Sequence, residues 1–492
     1  MNKLTLRFLA LLLLLTALPQ TAAAALQRSP AEPLAGPSLP ASVASYFPET
    51  GHQIAYGFLA AWRRFGGQHT VGLPLTEEFA QVNASDGRSY TVQYFERARF
   101  EYHPEIADPS YQVSLGLLGR EEAARQHISL ARSSGTTSDS NWYFKETGHN
   151  LGGSFLQYWL AQGGLDHFGY PISEEAQAQG GSVQYFERAR LESHPDLKVS
   201  NDTVQPSPLG YAALLVSGLA VPSGALVQMT PPRIAEGRTM LVRVATAPGA
   251  KVQGSWRGSG LRFARDDSQP YPGWWTLIAA PVFNGVGSYP LTMTVTEANG
   301  SRRPINRQVE VYAGSFPSQN LTLTPAMDGM LDPALDEQER KLLLTALGDS
   351  SDSPLWAGTM SWPLKERGRI STGFGDRRGY NGQPVSTFHS GLDLPLPEGT
   401  PVLAAAAGRV VFAGRMPLRG NCIILDHGLG VHTVYAHLAS IGVQIGDSVT
   451  QGLPIGRLGS TGFSTGPHLH WEVRLGYLPV DPYEWLTRTI PD

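Results

Sequence analysis

The stretch CIILDHGLGVHTVYAH, residues 422–437, decides how the last part of this chain folds. Branched and aromatic residues fill both halves, and Gly-Leu-Gly interrupts them as a tight turn does. The stretch therefore predicts a β-hairpin whose second strand ends at His437. Glycine-bounded apolar runs such as residues 408–414 continue the pattern, so residues 353–492 are predicted to form an all-β domain.

The composition indicates a folded protein of several domains. The chain has 492 residues, with 41% hydrophobic and 16% charged residues, and it is too long for one hydrophobic core. Its 54 glycines and 37 prolines favour turns and short strands, so the expected fold class is mainly β and multidomain. A net charge of -4 provides no basic field for nucleic acid or an anionic membrane.

A single cysteine, Cys422, limits the chemistry of the chain. It allows no internal disulfide and no zinc site built from several thiolates. A metal would therefore rely mainly on histidine and carboxylate ligands. Cys422 itself is predicted to be buried on a strand.

The N-terminus has the pattern of a signal peptide over residues 1–25. Lys3 and Arg7 precede an apolar run, and small residues follow. Export to the cell envelope or the medium is the prediction, with residues 26–42 as a linker. No later stretch is apolar for long enough to span a bilayer, so no stable membrane insertion is expected after cleavage. Retention of the segment as an anchor is the alternative.

An internal duplication follows the linker and predicts two α+β modules, at residues 43–127 and 140–220. Two pairs of matching segments carry it, namely 46–52 with 143–149 and 93–99 with 184–190. Each module is predicted to contain a short helix that stops at a glycine pair, and the repeated Gln-Tyr-Phe-Glu-Arg-Ala-Arg is predicted to be a strand.

Gly72-Leu73-Pro74 and its counterpart Gly169-Tyr170-Pro171 resemble LGFP-type repeats of exported, cell-wall-associated proteins. Two interpretations of the modules stay open. The aromatic residues fill two small cores, which is their commoner use. Alternatively, the modules bind a wall polymer or glycan and gain avidity from their linkage.

Between the repeats and the last domain, two further units are predicted. Residues 221–313 alternate apolar and polar residues in short runs, which predicts an Ig-like β-sandwich that serves for spacing or docking. Residues 314–352 form a linker that contains a helix. Asp332 and Pro333 begin this helix and Gly348 ends it, and leucines form an apolar stripe along it.

Three histidine-bearing segments of the last domain suggest a metal site. They are His-Ser-Gly-Leu-Asp at 389–393, Tyr-Ala-His-Leu at 435–438 and Gly-Pro-His-Leu-His-Trp-Glu at 466–472. On a strand, His468 and His470 project from one face while Leu469 points to the other.

The first segment supplies a second pair of ligands. Asp393 follows His389 by four residues, and Gly391 lets the backbone bend between them. A catalytic zinc site needs three protein ligands and a water. Four histidines and one aspartate exceed that number, and a surplus pair of histidines suits an acid/base role.

Together, these segments resemble the lysostaphin-type or LytM-type zinc endopeptidases, in which His-x-x-x-Asp, a lone histidine and His-x-His occur in this order. The resemblance covers residues 362–482 and implies that His389, Asp393 and His470 bind one Zn²⁺ per catalytic domain. His437 and His468 are implied to be catalytic.

Other polar residues of this domain have commoner explanations. His427 and His432 are interpreted as surface or satisfied core histidines. Asp376, beside two arginines, is interpreted as part of a surface ion pair. In some family members a tyrosine ahead of the first ligand stabilises the intermediate, and Tyr380 lies in the corresponding loop at a different spacing.

The predicted function is that of a secreted zinc endopeptidase that cuts peptide stems or cross-bridges of bacterial peptidoglycan. One alternative is a non-catalytic wall-binding activator of other hydrolases, but no metal ligand is missing as that class would require. Another is an exported peptidase that acts on proteins, since the metal site sets the reaction and the groove sets the substrate.

Overall fold

The computed structural model describes residues 44–490 with several short gaps, at 84–85, 179–180, 194–203, 218–223, 225, 267–271, 284, 324–327, 330–331 and 367. The predicted signal peptide and linker lie outside the described residues. The described chain is mainly β and multidomain, as predicted. None of its described helices is both long and apolar enough to cross a bilayer.

The two repeats share one order of elements: a hairpin, two short helices, a four-stranded antiparallel sheet and a closing helix. The first repeat contains β1 Ala44–Phe47, β2 His52–Ala55, α1 Tyr56–Arg64, α2 Gly67–Thr70, β3 Phe79–Val82, β4 Ser89–Tyr94, β5 Arg99–Tyr102, a 3-10 turn Pro109–Tyr111, β6 Val113–Leu115 and α3 Leu118–Arg125. The second contains β7 Asn141–Phe144, β8 His149–Gly152, α4 Gly153–Ala161, α5 Gly164–Phe168, β9 Ala176–Ala178, β10 Gly181–Tyr185, β11 Arg190–Ser193, β12 Val204–Pro206 and α6 Leu209–Val216.

The predicted helices are present as α1 and α4, and each ends before a glycine with positive φ, Gly66 at 84° and Gly163 at 97°. The aromatic residues pack inward. Tyr94 and Phe95 are buried, and the Trp62 indole donates to the Gly72 carbonyl at 2.8 Å. These contacts agree with the core interpretation of the aromatics, while wall binding by the repeats stays a prediction.

The strand predicted for Gln-Tyr-Phe-Glu-Arg-Ala-Arg is wrong. In the first repeat, β4 ends at Tyr94 and β5 begins at Arg99, which pair with each other across the hairpin. The residues between them form the turn, closed by a hydrogen bond from the Phe95 N–H to the Ala98 carbonyl. Glu96 holds the turn because its carboxylate accepts the N–H of Leu73 at 3.1 Å.

The closing helix of each repeat packs on the other repeat. On α3, the Arg120 N–H donates to the Glu187 carbonyl at 3.1 Å, and on α6 the Tyr211 N–H donates to the Glu96 carbonyl at 3.1 Å. Glycine permits both approaches, since a Cβ at Gly119 would lie 1.9 Å from the Phe186 carbonyl oxygen. The two repeats are thereby interlocked.

We expect Gly119→Ala to destabilise the paired repeats by about 1–3 kcal/mol, because the added methyl group meets backbone that cannot move aside as a side chain can. Limited proteolysis and thermal unfolding of the full chain measure the effect. Gly57→Ala is the matched control, since a Cβ there meets only a Val113 methyl group at 3.4 Å. Equal stability of the two variants would contradict the interlocked packing.

Two sheets of four and five strands follow the repeats and enclose a hydrophobic core. Their strands are β13 Val227–Thr230, β14 Ile234–Ala235, β15 Thr239–Ala245, β16 Lys251–Trp256, β17 Ser259–Gly260, β18 Ala264–Asp266, β19 Gly273–Ala279, β20 Gly287–Thr296 and β21 Arg302–Tyr312. The four-stranded sheet also presents Leu241, Trp275 and Leu277 to the core of the last domain. The spacing or docking role and the Ig-like assignment both stay predictions.

The last domain is built around one nine-stranded sheet. Its central strands run in the order β25, β32, β29, β28, β27, β30, and the predicted hairpin is β28–β29, although its second strand continues past His437 to Ile441. The elements are β22 Ser318–Leu321, α7 Pro333–Gly348, β23 Arg377–Tyr380, β24 Thr387–Phe388, β25 Leu392–Leu394, β26 Pro401–Leu403, β27 Gly408–Met416, β28 Gly420–Gly428, β29 Val431–Ile441, β30 Ser448–Val449, β31 Pro454–Leu458, β32 Leu469–Leu475, β33 Leu478–Val480 and α8 Pro482–Thr487.

The predicted linker helix is α7, and it is part of this domain's packing. Asp332 caps it by accepting the Ala334 N–H at 2.8 Å. Leu343 and Leu347 pack against Cys422 and neighbouring residues on one face of the sheet. Cys422 is buried on β28, as predicted. The exact domain boundaries stay predictions.

Candidate metal centre

Strand pairing brings the first three candidate residues together. Asp393 on β25 lies directly opposite His470 on β32. His389, just before β25, is buried, and its N–H donates to the Asp376 carbonyl at 2.9 Å. Gly391 is required for close approach and not for a bend, since a Cβ there would lie 2.3 Å from the Trp471 carbonyl oxygen. The side chains thus converge on one face.

His437 reaches the same face through a β-bulge. The pairing of β28 with β29 shifts register so that β29 carries one extra residue just before Leu438. His437 has a φ of 60°, which is uncommon for a residue with a side chain. Tyr435 and Leu438 both pack in the main core, whereas the His437 ring lies 5.9 Å from that of His470. The bulge therefore re-aims His437 toward the site.

Three donor atoms meet at the centre of the cluster. His389 Nε2, His470 Nδ1 and Asp393 Oδ1 lie 2.9 Å from one another in all three pairs. The other ring nitrogens have acceptors as partners: His389 Nδ1 lies 2.8 Å from the Gly373 carbonyl and His470 Nε2 lies 2.9 Å from Glu472 Oε1. In a neutral ring these hydrogen bonds keep the single ring proton on the outer nitrogen, so each facing nitrogen presents a lone pair.

Such a site favours a positive charge. Burial lowers the pKa of His470, but Asp393 and Glu472 outweigh burial and raise it above its ordinary value. One proton can bridge only two of the three donors, whereas a metal ion satisfies all three. Two imidazoles and one carboxylate are a donor set that zinc accepts. The residues therefore fit a zinc ion.

The remaining two histidines lie beside this triad. His437 Nδ1 and His468 Nδ1 donate to the carbonyls of Thr461 and Gly466, each at 2.8 Å, which leaves both Nε2 atoms as acceptors. The two ring centroids are 4.8 Å apart. Burial, with the charges of neighbouring histidines, lowers the pKa of His437 to about 3. The structure thus brings all five predicted residues into one cluster.

Comparison with known proteins places this segment in a family. Residues 387–482 match Peptidase family M23. The C-terminal part of this chain is a Peptidase family M23 domain. Over 117 residues the chain is 44% identical to the DD-carboxypeptidase/endopeptidase Mpg of Neisseria meningitidis. The matched segment covers 23% of this chain and 26% of that protein.

Two further proteins resemble the M23 domain. The peptidoglycan DD-endopeptidase ShyA of Vibrio cholerae is 36% identical over 133 residues, 27% of this chain and 31% of that protein. The catalytic domain of the antimicrobial peptidase lysostaphin from Staphylococcus simulans is 33% identical, covers 24% of this chain and 91% of that chain, and gives a TM-score of 0.21. The chain thus spans less than a third of the length of the two curated relatives.

Sequence reasoning missed several residues that support the M23 site. Glu472 was detectable, because it lies two residues after His470 and so on the same strand face. Arg419, which binds Glu472, could not be predicted from the sequence, since it lies far from Glu472 in the sequence and belongs to no local pattern. Arg378 Nη2 lies 3.6 Å from Asp393 Oδ2 and adds a positive charge beside the triad.

The residues assigned other roles lie outside the triad. His427 and His432 are buried and hydrogen-bonded, so they are satisfied core histidines. The surface ion pair proposed for Asp376 is wrong. Asp376 is buried, and its carboxylate accepts a hydrogen bond from the Gln319 side-chain amide at 2.9 Å. The same carboxylate accepts the Gly373 N–H and so caps the loop beside the site. Tyr380 ends β23, and its role stays a prediction.

We expect His427→Asn to reduce the loss of stability on acidification. Burial lowers the pKa of His427 from 6.5 to about 4, so the folded protein favours the neutral ring. The contribution of the neutral ring to the free energy of unfolding is fully present above about pH 6.5 and is lost as the pH falls toward 4. The full loss is about 3 kcal/mol. Denaturant unfolding at pH 7 and pH 4.5 measures it.

The control for this experiment is the exposed His69→Asn, which should follow the wild type at both pH values. A wild-type pH dependence in His427→Asn would show that other groups cause the acid sensitivity.

Proposed function

We propose that this chain is an exported zinc endopeptidase that cuts peptide bonds in the stems or cross-bridges of bacterial peptidoglycan. The observation that carries the proposal is the triad of lone-pair donors 2.9 Å apart, with two further histidines whose Nε2 atoms are free to accept a proton. Metal-dependent hydrolysis uses a metal bound by such a triad together with nearby groups that accept a proton.

His389, Asp393 and His470 would hold one zinc ion. Bound zinc supplies Lewis-acid chemistry, which polarises a carbonyl group and acidifies a water molecule. Glu472 accepts the Nε2 proton of His470 at 2.9 Å, and the Gly373 carbonyl accepts the Nδ1 proton of His389 at 2.8 Å. These bonds fix the tautomer and direction of both rings and keep them basic toward the metal.

His437 and His468 would move the proton. In peptide hydrolysis a base takes a proton from the attacking water, and an acid returns one to the leaving amine. Each ring is held by its Nδ1–H bond to a backbone carbonyl, so Nε2 is the atom that accepts and returns the proton. We assign the base and acid steps of peptide hydrolysis to these two atoms.

The names of the relatives support peptidoglycan as the substrate. Mpg is named a DD-carboxypeptidase/endopeptidase and ShyA a peptidoglycan DD-endopeptidase. Both likenesses are confined to the M23 part of this chain, so the substrate is our proposal. The signal-peptide pattern of residues 1–25 supports an extracytoplasmic location, and the repeats and β-sandwich would hold the M23 domain against the wall polymer.

The first experiment is the release of soluble muropeptides from purified sacculi. We expect release by the zinc-loaded wild type, loss of release with a chelator, and loss of zinc binding and release in His389→Ala, since removing one of three ligands breaks the site. Exposed His69→Ala is the matched control. Zinc-loaded wild type that leaves sacculi intact but cuts protein substrates would favour the alternative peptidase, and inactivity on both would favour the activator.

A second experiment separates the metal ligands from the proton carriers. We expect His437→Ala and His468→Ala to keep one zinc per chain but to lose about 10²–10⁴-fold in rate, the usual contribution of general acid–base catalysis. His470→Ala should lose the zinc itself. Metal analysis after dialysis and initial rates on sacculi measure both properties. Loss of zinc from His437→Ala or His468→Ala would overturn the assignment of roles.

A further inference from the structure

Helix α7 reaches the site from outside the M23-matching residues. Its residues 333–348 precede that segment, which begins at residue 387. Glu339 lies on the same stripe of α7 as the buried Leu343 and Leu347, and is itself 2% exposed. A carboxylate on an apolar helix face must be paired to be tolerated there.

Glu339 is paired with a single loop. Its Oε2 accepts the backbone N–H groups of Leu418 and Arg419, the latter at 3.0 Å. Its Oε1 forms an ion pair with the Arg419 guanidinium. The carboxylate therefore holds both the main chain and the side chain of Arg419, which lies just before β28.

Arg419 connects Glu339 to the metal triad. Its guanidinium also binds Glu472, with Arg419 Nε 3.0 Å from Glu472 Oε1. The same Oε1 lies 2.9 Å from His470 Nε2. Only two side chains thus separate α7 from a triad residue.

Arg419 also holds the bulge that aims His437. The N–H of His437 donates to the Arg419 carbonyl at 2.8 Å. Because His437 has a φ of 60°, the surrounding bonds must maintain that conformation. One loop residue therefore supports a triad residue through its side chain and a neighbouring histidine through its backbone.

The buried charged groups that link α7 to the triad alternate in sign along the series of contacts. Burial opposes the charge on Arg419, but Glu472 and Glu339 outweigh it and raise the pKa of Arg419. Glu472 is fully buried and forms ion pairs with Arg419 and Arg474. Removal of one buried partner would leave the next charge uncompensated.

We propose that Glu339 is a positioning residue of the metal centre, so that helix α7 completes a site whose ligands all lie in the M23 domain. The inference rests on the proposed zinc site. In Glu339→Gln one acceptor oxygen becomes an amide donor that faces either N–H groups or a guanidinium. The Arg419 loop then loses an anchor, and both Glu472 and the His437 backbone lose a fixed partner.

The test is the zinc affinity of the full chain, measured by competition with a chromogenic chelator. We expect Glu339→Gln to bind zinc about tenfold more weakly than wild type, the lower end of the effect of removing a group that orients a metal ligand. Glu337→Gln is the matched control on the same helix, since the Glu337 side chain is 46% exposed and pairs with Arg340 and Lys341 nearby on α7. Its affinity should equal that of the wild type.

Circular dichroism checks that each variant is folded. If Glu339→Gln is unfolded, Glu339→Asp provides the test, because it keeps the charge but is too short to hold both groups, and its affinity should lie below wild type. Wild-type affinity in the folded Glu339→Gln or Glu339→Asp variant would overturn the inference alone. Absence of zinc binding by the wild type would overturn the proposed function as well.

Discussion

Three lone pairs buried against one another are the constraint on which the last domain of this protein depends. His389, Asp393 and His470 present donor atoms 2.9 Å apart, and the outer partners of the two neutral rings hold the ring protons away from the centre. Such an arrangement is unfavourable until a positive charge enters it. The surrounding structure must therefore hold the donors in place, and several of its features can be understood as doing so.

The support comes in layers around the triad. Glu472 orients His470, Arg419 balances Glu472, and Glu339 on α7 holds Arg419. Each buried charge in this series has an opposite charge in contact, which is the condition for keeping ionised groups out of water. The series extends beyond the residues that match Peptidase family M23. A connector helix is thus part of the same electrostatic unit as the site.

Hydrophobic packing joins the domains in a similar way. Trp275 of the β-sandwich contacts Trp356 edge-on, with ring centroids 6.3 Å apart, and both belong to the main core of the last domain. Polar contacts reinforce this junction, since Arg238 pairs with Asp481 at 2.9 Å. The core of the last domain therefore extends onto one face of the β-sandwich, and the repeats are interlocked through their closing helices.

The sequence by itself determined the local features of this protein. Glycine spacing predicted the β28–β29 hairpin, a capping Asp332 and a terminal Gly348 predicted α7, and the spacing of His468 and His470 predicted a shared face. Each depends on residues a few positions apart, where backbone geometry fixes the relation between side chains. The five candidate site residues were predicted on a different ground, because their three segments together resemble those of lysostaphin-type endopeptidases.

Only the tertiary structure decided the long-range features. Glu339 and Arg419 meet across 80 residues, and α3 packs on the second repeat as well as on its own. The bulge before Leu438 is set by the pairing of β28 with β29, and Asp376 is buried because β22 passes beside its loop. These contacts depend on which surfaces the chain brings together, and no short-range spacing encodes that choice.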